Sequence, residues 1–315
     1  MNPVTLSIVV IGRNEAERIG KCLESIQNEI TTFPSAELIF VDAGSTDDSV
    51  AIAARLGIKA LEIDPANAAS ARNAGLARCT GKYVQFLDGD MILSPGWLQF
   101  ALERLEVCEF DAVAGKIVEE TKDASIYSRV FGLDWNHKSG PVETLGGASL
   151  WRRQVIQRLG GFDEALDVGE DPDLSLRARA LGHQLMQLDV TMVGHSLGLR
   201  TLGDWVCRGK SVGRSTALVF KRHSQARGAR RRIFAAFAAP FAGIFIVVAF
   251  ILWQNTIVIA LPLLVTVMMV RRYFRHRNLI TTRYALAHFI HVHLIKIPFM
   301  IGALPVLLSQ KKETI

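Results

Sequence analysis

The stretch YVQFLDGDMIL, residues 83–93, most constrains the fold of this 315-residue chain. It begins with apolar and aromatic residues that suit a strand buried in a parallel sheet, and it stops at Asp88 and Asp90 with Gly89 between them. The glycine allows a turn and the close approach of a ligand. Paired carboxylates at the carboxyl end of such a strand lie where open α/β sheets bind ligands, and their oxygens suit Mg²⁺ or Mn²⁺ holding a diphosphate. The plainer alternative is a strand followed by an Asp-Gly turn.

Short apolar runs alternate with helical periodicity over the first 200 residues, and this alternation predicts parallel βαβ units. Strands are predicted at 6–11, 38–41, 59–63, 83–87, 112–118, 185–188 and 191–193. Helix starts are predicted from N-cap chemistry at Asn14 with Glu17, at Ser45 with Asp48, and at Ser94 before Pro95. The segment GGASLWRR, residues 146–153, is expected to precede a short helix, and residues 121–145 carry no clear pattern.

The net charge of +6 conceals two halves of opposite sign. Residues 1–199 carry 18 Lys and Arg against 28 Asp and Glu, a net of −10, whereas residues 200–315 carry 18 against 2, a net of +16. A basic half indicates an anionic partner, either nucleic acid or a membrane surface. Because its basic clusters flank long apolar runs, the membrane is favoured and nucleic acid is not expected.

The C-terminal third divides into a basic connector at 200–232 and a membrane region at 233–315. The connector resembles an amphipathic helix on an anionic membrane face. Apolar runs at 233–253 and 256–270 predict a hairpin with both ends in the cytoplasm, since basic clusters bracket it. A third run at 284–308 is expected to cross, to re-enter or to lie flat. The four cysteines lack paired spacing and are expected to be free thiols, and the N-terminus predicts a first strand instead of a signal peptide.

At this point six segments, taken in order, resemble family-2 glycosyltransferases of the GT-A fold. They are GRNE after the first strand, DAGSTDDS after the second, SARNAG, LDGD, the pair GGASLWRR and GGFDE, and GEDPDLSLR. The resemblance covers roughly residues 5–196. It implies an α/β, Rossmann-like nucleotide-diphospho-sugar transferase domain at 1–199, followed by C-terminal hydrophobic helices. It also implies transfer of a sugar from a nucleotide-diphospho-sugar, with inversion and with a divalent cation, Mg²⁺ or Mn²⁺, as cofactor.

The resemblance further implies a role for individual residues. Those on the donor side are Ile11, Arg13 and Glu15 around base and ribose, Asp42 at the base edge, Arg72 near the nucleotide, and Asp88 near ribose and metal. The others are Asp90 as a ligand of the metal, His195 at the metal or the diphosphate, and Asp171 as the general base. The chemistry agrees, because a cation offsets charge on the leaving diphosphate and a carboxylate accepts the proton of the acceptor hydroxyl.

Several of these residues also have a structural alternative. Asp42 suits a polar turn and Arg72 a solvated helix charge, while Glu170 and Asp171 fall where carboxylates complement a helix dipole. His195 suits a satisfied polar residue at a strand end. The predicted phosphate contacts Arg208, Lys210 and Arg214 are alternatively membrane-surface charges.

The chain departs from the family pattern at one element. The Gln-x-x-Arg-Trp segment of processive synthases is missing, and DWVCRGKSVGR, residues 204–214, stands after His195 instead. This favours addition of a single sugar over polymerisation. The basic and apolar C-terminal third adds the expectation of a membrane-associated acceptor, lipid-linked or glycan, and of a catalytic domain on the cytoplasmic face of the inner membrane. Two alternatives are a sugar-phosphate nucleotidyltransferase, which would want a Gly-rich basic phosphate loop, and an inactive membrane scaffold with a transferase-like domain.

Overall fold

The structure, a computed structural model, describes residues 6–64, 66–108, 110–119, 124–133, 139–238, 267, 270–271 and 282–309. The chain divides into two compact units. The sheet unit comprises Met1–Lys122 and Trp135–Leu197, and the helical unit comprises Asp123–Asp134 and Gly198–Ile315. The predicted hairpin at 233–253 and 256–270 lies largely outside the described residues.

The first four strands form the parallel half of the sheet, in the order β3-β2-β1-β4. They are β1 (Leu6–Gly12), β2 (Ala36–Asp42), β3 (Ala60–Glu62) and β4 (Tyr83–Asp88), joined by α1 (Ile19–Ile30), α2 (Ser49–Arg55) and α3 (Ala68–Leu76). Gly75 lets α3 pack directly on β1, because a Cβ there would stand 2.4 Å from Cγ1 of Val9. The predicted βαβ alternation is present in this half.

The second half of the sheet is mixed, which corrects the expectation of parallel strands throughout. It contains β5 (Met91–Leu93), β6 (Ala112–Glu119), β7 (Gly140–Pro141), β8 (Ser149–Arg152) and β9 (Leu185–His195), with α4 (Trp97–Val107), α6 (Arg153–Arg158) and α7 (Glu170–Ala180) between them. Strand β8 lies inside GGASLWRR and pairs antiparallel with both β4 and β6. A strand of four residues is too short to show a periodicity in the sequence, although its first three residues are buried in the sheet. The two strands predicted at 185–188 and 191–193 are the single strand β9, which is parallel to β6.

Three predicted helix starts are wrong because other hydrogen bonds take the predicted capping side chains or the first amides of the helix. Asn14 has φ 58° and its side chain accepts from the Thr46 amide at 2.8 Å, so α1 begins at Ile19 without a side-chain cap. The Ser45 hydroxyl donates to Asp42 at 2.5 Å, and α2 begins at Ser49. Helix α4 begins after Gly96 instead of at Ser94, and its first amides donate to the carboxylate of Glu29 on α1.

The helical unit is built from α5 (Ile126–Gly132), α8 (Leu202–Arg222), α9 (Thr282–Leu294) and α10 (Lys296–Leu308), with further helical residues at 227–238. Helix α8 occupies most of the connector predicted at 200–232 and starts with a capping box formed by Thr201 and Asp204. Within the part of the chain that the structure describes, one helical stretch, Ile290–Leu308, is long and apolar enough to cross a membrane. It falls in the third apolar run.

Candidate active site

The carboxyl ends of three neighbouring parallel strands meet at one edge of the sheet. Gly12 of β1 pairs in register with Asp42 of β2, and Ile11 pairs with Asp88 of β4. The amide of Gly89 donates to the carbonyl of Ile11 at 2.8 Å, which fixes the turn between Asp88 and Asp90 against β1. Strand ends at such an edge place polar side chains side by side, as an open α/β sheet requires for ligand binding.

Arg72 is the centre of the site. Its guanidinium is buried, and it donates from Nη2 to Oδ1 of Asp88 at 2.8 Å and from Nη1 to Oε1 of Glu170 at 2.7 Å. The same Nη1 lies 3.5 Å from Oδ1 of Asp171. A buried charge requires partners of opposite sign, and the forked geometry of arginine reaches several carboxylates at once. Arg72 therefore joins the Asp88 end of β4 to the start of α7.

The surrounding sequence explains why Arg72 and α7 meet. Helix α3 is started by a capping box between Asn67 and Ser70, which fixes the helix that carries Arg72. The side chain of the adjacent Asn73 donates to the carbonyl of Phe162 at 2.9 Å, and the guanidinium of Arg72 lies 5.6 Å from the centroid of that phenylalanine ring. Helix α7 then begins after Gly169, whose φ of 90° suits glycine, and its first turn carries three carboxylates, of which Glu170 and Asp171 face Arg72.

Asp171 is held as a weak acid. Burial, opposed by the charge of Arg72 and reinforced by Glu170 and Asp88, raises the pKa of Asp171 to about 8. The position of Asp171 at the start of a helix would by itself favour the ionised form and lower the pKa. Loss of water around the buried carboxylate outweighs this effect of the helix dipole. The backbone of Gly147 adjoins this carboxylate, because a Cβ on Gly147 would stand 2.3 Å from Nη2 of Arg72 and 3.1 Å from Oδ2 of Asp171.

Asp90 faces a different group from Asp88. Its Oδ2 lies 2.9 Å from Nε2 of His195 and 3.7 Å from Nη1 of Arg18. Although burial raises the pKa of Asp90, the hydrogen bond and charge of His195 and the charge of Arg18 lower it below its usual value. Pairing of β5 with β9 sets Met91 opposite His195, so the contact follows from the strand register.

Glu15 adds a further carboxylate beside the Asp-x-Asp turn. Burial, and then the negative charge of Asp90, raise the pKa of Glu15 to about 7, while Arg18 opposes them. Its backbone amide donates to the hydroxyl of Ser49 at 2.9 Å, so the loop after β1 is tied to the loop after β2. Glu15 and Asp90 are thus close enough for each charge to act on the other, and Arg18 acts on both.

The side chains present fit a divalent cation that arrives with a substrate. Oδ1 of Asp90 is buried and has no hydrogen-bond partner among the described residues. No group of three or more His, Cys, Asp or Glu side chains within the described ranges is arranged to hold a metal by itself. Magnesium-type sites in phosphate chemistry commonly use one or two carboxylates, with substrate phosphates and water completing the shell. Asp90 with His195 matches that arrangement.

The remaining donor-side residues lie in the loops at the same edge. Ile11 is buried at the end of β1, and Arg13 is exposed in the following loop. Asp42 is buried, and its Oδ2 accepts from the amides of Gly44 and Ser45 at 3.1 and 2.8 Å. These hydrogen bonds support the structural alternative for Asp42, which is a polar turn. Asp42 nevertheless lies at the edge of the sheet where a base would bind.

Arg208, Lys210 and Arg214 lie on the exposed surface of α8, in the helical unit. Two residues that matter to the geometry were missed in the sequence. Arg18 is the last residue before α1. A basic residue so close to the predicted strand end was the sequence signal for a contact with the carboxylates of the site. Gly147 lies in the Gly-Gly pair of GGASLWRR, where the absence of a side chain was the signal.

Comparisons with known proteins bear on the family of this chain. A family model described as "Glycosyl transferase family 2" matches residues 7–150. The pre-mycofactocin glycosyltransferase of Mycobacterium tuberculosis is 30% identical over 235 residues, which cover 69% of this chain and 48% of that protein. Glycosyltransferase AglE of Haloferax volcanii is 26% identical over 193 residues, covering 57% of this chain and 63% of that protein. The chain thus spans about half to two thirds of the length of these relatives.

Solved structures establish the fold. The mannosyltransferase PcManGT from Pyrobaculum calidifontis, in complex with GDP-Man and Mn²⁺, superposes with a TM-score of 0.69 at 18% identity, over 95% of this chain and 86% of that chain. Residues 1–349 of TarS from S. aureus, in complex with UDP-GlcNAc, give a TM-score of 0.56 at 17% identity, over 95% and 92%. Together with the mixed sheet, these similarities confirm the GT-A fold predicted from the sequence.

Proposed function

The chain belongs to glycosyl transferase family 2, and we propose that it transfers a single sugar from a nucleotide-diphospho-sugar to a membrane-associated acceptor with inversion at the anomeric carbon. The observation that carries the proposal is the position of Arg72, which joins Asp88 at the end of β4 to Glu170 and Asp171 at the start of α7. One side of that cluster suits a donor diphosphate and the other suits an acceptor hydroxyl.

The donor lies along the carboxyl edge of the sheet. Ile11, Arg13 and Glu15 line the base and ribose, Asp42 reads the base edge, and Asp88 approaches the ribose. Support comes from the register that brings β1, β2 and β4 to one edge. It also comes from two proteins of the same fold that were solved with GDP-Man and with UDP-GlcNAc.

Asp90, with His195 and Asp88, would hold a divalent cation, Mg²⁺ or Mn²⁺. When bound, such an ion supplies Lewis-acid stabilisation of the negative charge on the departing diphosphate. Oδ1 of Asp90, which is buried and accepts no hydrogen bond from the residues that the structure describes, supports this assignment. Arg18 and His195 keep Asp90 ionised by lowering its pKa. The Mn²⁺ in the mannosyltransferase structure is a further reason to test manganese first.

Asp171 acts as the general base. The acceptor oxygen forms a bond to the anomeric carbon as its proton passes to the Asp171 carboxylate, and the bond from that carbon to the diphosphate oxygen breaks. Attack from the face opposite the diphosphate inverts the anomeric centre. A base is most effective when its pKa lies near the working pH, and the pKa of Asp171, raised to about 8, meets that condition. Glu170 positions Asp171 through Arg72.

The acceptor is lipid-linked or another membrane-associated glycan, and the catalytic domain at 1–199 lies on the cytoplasmic face. The net charge of +16 over residues 200–315 and their apolar runs support this location. Arg208, Lys210 and Arg214 are exposed and suit the phosphate of a lipid or of a lipid-linked acceptor. The hairpin proposed at 233–270 provides the anchor. The missing Gln-x-x-Arg-Trp element supports addition of one sugar.

The test begins with the purified full chain and a panel of nucleotide-diphospho-sugars. We expect one base and sugar to raise the melting temperature in Mn²⁺, and not in excess chelator. The selected donor is then incubated with a membrane lipid extract, and the product's anomeric configuration is determined by NMR. Asp189→Asn is a matched control, because Asp189 is an exposed carboxylate paired with Lys116 outside the edge.

The outcome also separates the alternatives. Release of the nucleoside diphosphate with one added sugar of inverted configuration supports the proposal. Release of inorganic pyrophosphate would indicate a nucleotidyltransferase instead. Stabilisation by a donor without any turnover on lipid or glycan acceptors would favour a scaffold with a transferase-like domain.

A further inference from the structure

One side of the stretch 290–308 is an exposed apolar stripe. The stripe consists of Ile290, Leu294, Ile297, Ile301, Leu304 and Leu308, whose side chains are 44–71% exposed. Spacings that alternate between four and three residues align them along one side of a helix. Ile295, between α9 and α10, keeps helical dihedral angles, so the line continues across the junction. Phe299 and Ala303, on the opposite side, are buried.

Helix α8 lies alongside the buried face of α10 in backbone contact. A Cβ on Gly213 would stand 2.0 Å from the carbonyl oxygen of Phe299, and one on Gly302 would stand 1.9 Å from that of Lys210. Nζ of Lys221 donates to the carbonyl of Ser309 at 3.0 Å, so the two helices run side by side in the same direction. Neither helix can therefore change its depth in a membrane without the other.

Helix α8 is unsuited to the interior of a bilayer. It carries four exposed cations, which are Arg208, Lys210, Arg214 and Lys221. Lys210 adjoins Gly302, near the middle of α10, so a spanning α10 would bring charges to the bilayer centre, where they are strongly unfavourable. Length and composition allow the stretch 290–308 to cross, but its packing against α8 opposes it.

We infer that residues 290–308 lie in the plane of an anionic bilayer surface, with the stripe at the acyl-chain boundary, and do not cross. The inference rests on the membrane location in the proposed function, not on sugar transfer. Lys210 and Arg214 lie about 100° around α8 from Gly209 and Gly213, so these two cations flank the helix pair instead of facing α10. Cations in that position reach lipid phosphates while the stripe enters the apolar layer.

An apolar cavity at the N-terminal end of the stripe supports a lipid partner. Its volume is about 240 Å³, it shares Ile290 and Leu294 with the stripe, and Trp205 and His291 form part of its wall. Nε1 of Trp205 donates to Nδ1 of His291 at 2.8 Å, so the indole N–H is already satisfied within the wall. The remaining lining is apolar or aromatic, which suits a hydrocarbon chain rather than a polar ligand.

The depth of the stripe can be measured in the full chain, reconstituted in nanodiscs of phosphatidylcholine and phosphatidylglycerol. With the exposed Cys108 and Cys207 changed to serine, single spin labels are placed at 297, 301, 304 and 308. Position 107 in α4, whose valine is 79% exposed, gives the aqueous reference. Accessibility to oxygen and to a water-soluble nickel chelate reports depth. We expect all four labels at one depth, about 5–10 Å below the phosphates.

Other profiles would overturn the inference. A crossing helix would change depth by about 16 Å between positions 297 and 308, given about 1.5 Å per residue. Spin–spin broadening without lipid contact would indicate a second copy on the stripe. Protection from both reagents without broadening would indicate that another segment of the chain covers it.

Flotation of the unlabelled full chain with the same lipids separates this inference from the proposed function. A protein that fails to co-float with the vesicles contradicts the membrane location on which both depend. A protein that co-floats and transfers sugar, but gives a crossing profile, contradicts the in-plane helix alone.

Discussion

Nε2 of His195 lies 2.9 Å from Oδ2 of Asp90, although 105 positions separate the two residues. Antiparallel pairing of β5 with β9 places them together, and the turn at Gly89 directs Asp88 toward Arg72 instead. The two carboxylates of the Asp-x-Asp turn are thus in different environments. Asp88 is neutralised by a buried guanidinium, whereas Asp90 keeps one oxygen without a partner among the described residues. This difference makes Asp90 the better place to test the cation.

Asp90→Asn should abolish transfer and weaken the Mn²⁺-dependent binding of the nucleoside diphosphate, while the fold persists. The amide carries no charge, so it is a poorer ligand for a hard cation. Binding is measured by calorimetry with and without Mn²⁺, and folding by circular dichroism. Asp189→Asn, an exposed carboxylate elsewhere in the sheet unit, should leave both unchanged. Full turnover by Asp90→Asn, or by the wild type in excess chelator, would contradict the metal assignment.

Arg72→Met should lower the free energy of unfolding by about 3–5 kcal/mol, because it leaves buried carboxylates without their cation. The Arg72 side chain is 3% exposed and that of Glu170 is 10% exposed, so water cannot replace the lost partner. Denaturant titration measures the change. Arg78→Met, an exposed arginine just beyond the end of α3, is the control and should stay within about 0.5 kcal/mol of wild type. Equal stability of the two variants would show that the cluster is not needed for folding.

The edge of the sheet could be predicted from the sequence because the relevant signals are local. Apolar runs that stop at polar residues after β1, β2 and β4 identify three strands, and parallel strands bring their carboxyl ends together. The turn at Asp88 and Asp90 was therefore placed without long-range information. The start of α7 at Glu170 was also visible as a local change from glycine to carboxylates.

The rest depends on partners that are far apart in the chain. Arg72 and Glu170 are 98 positions apart, and nothing in either segment indicates the other. Asn14 has the chemistry of an N-cap, but the amide of Thr46 takes its side-chain oxygen. The direction of the pKa shift of Asp171 could not be predicted either, because it depends on burial, which outweighs the dipole of α7.

The reaction should depend on pH through Asp171. Its burial, partly offset by Arg72, raises its pKa to about 8. A general base acts in its ionised form, so kcat/KM should rise about tenfold per pH unit up to about pH 8 and level off above it. Asp171→Asn should lower kcat by roughly 10²–10⁴ and remove this dependence. The profile is measured with the selected donor from pH 5.5 to 9.5.

Glu170→Gln is the matched variant one residue away. The negative charge of Glu170 raises the pKa of Asp171, so its removal should move the rise in kcat/KM to lower pH without abolishing turnover. A purely structural cap at either position would leave the midpoint in place. Near-wild-type kcat in Asp171→Asn with a large loss in Glu170→Gln would assign the general base to Glu170. Wild-type rates in both variants would contradict the general-base mechanism.

The pair Gly146 and Gly147 offers the sharpest steric test of the site. A methyl group on Gly147 would stand 2.3 Å from Nη2 of Arg72 and 3.1 Å from Oδ2 of Asp171, so one of these side chains must move. Displacement of a catalytic group by about 1 Å commonly costs about 10²-fold in rate, and Gly147→Ala should lower kcat by about that factor. Steady-state kinetics at pH 8 with the selected donor measure the loss.

Gly146→Ala is the control, because a Cβ at that position has nothing within 4 Å. Both variants remove the same backbone freedom and add the same methyl group, so any shared effect on the loop cancels in the comparison. Only Gly147→Ala should also shift the pH at which kcat/KM levels off. The charge of Arg72 lowers the pKa of Asp171, and this effect weakens when the guanidinium is displaced. The shift should be toward higher pH. Equal kcat for the two variants would mean that the contact of Arg72 with Asp171 is not used in turnover.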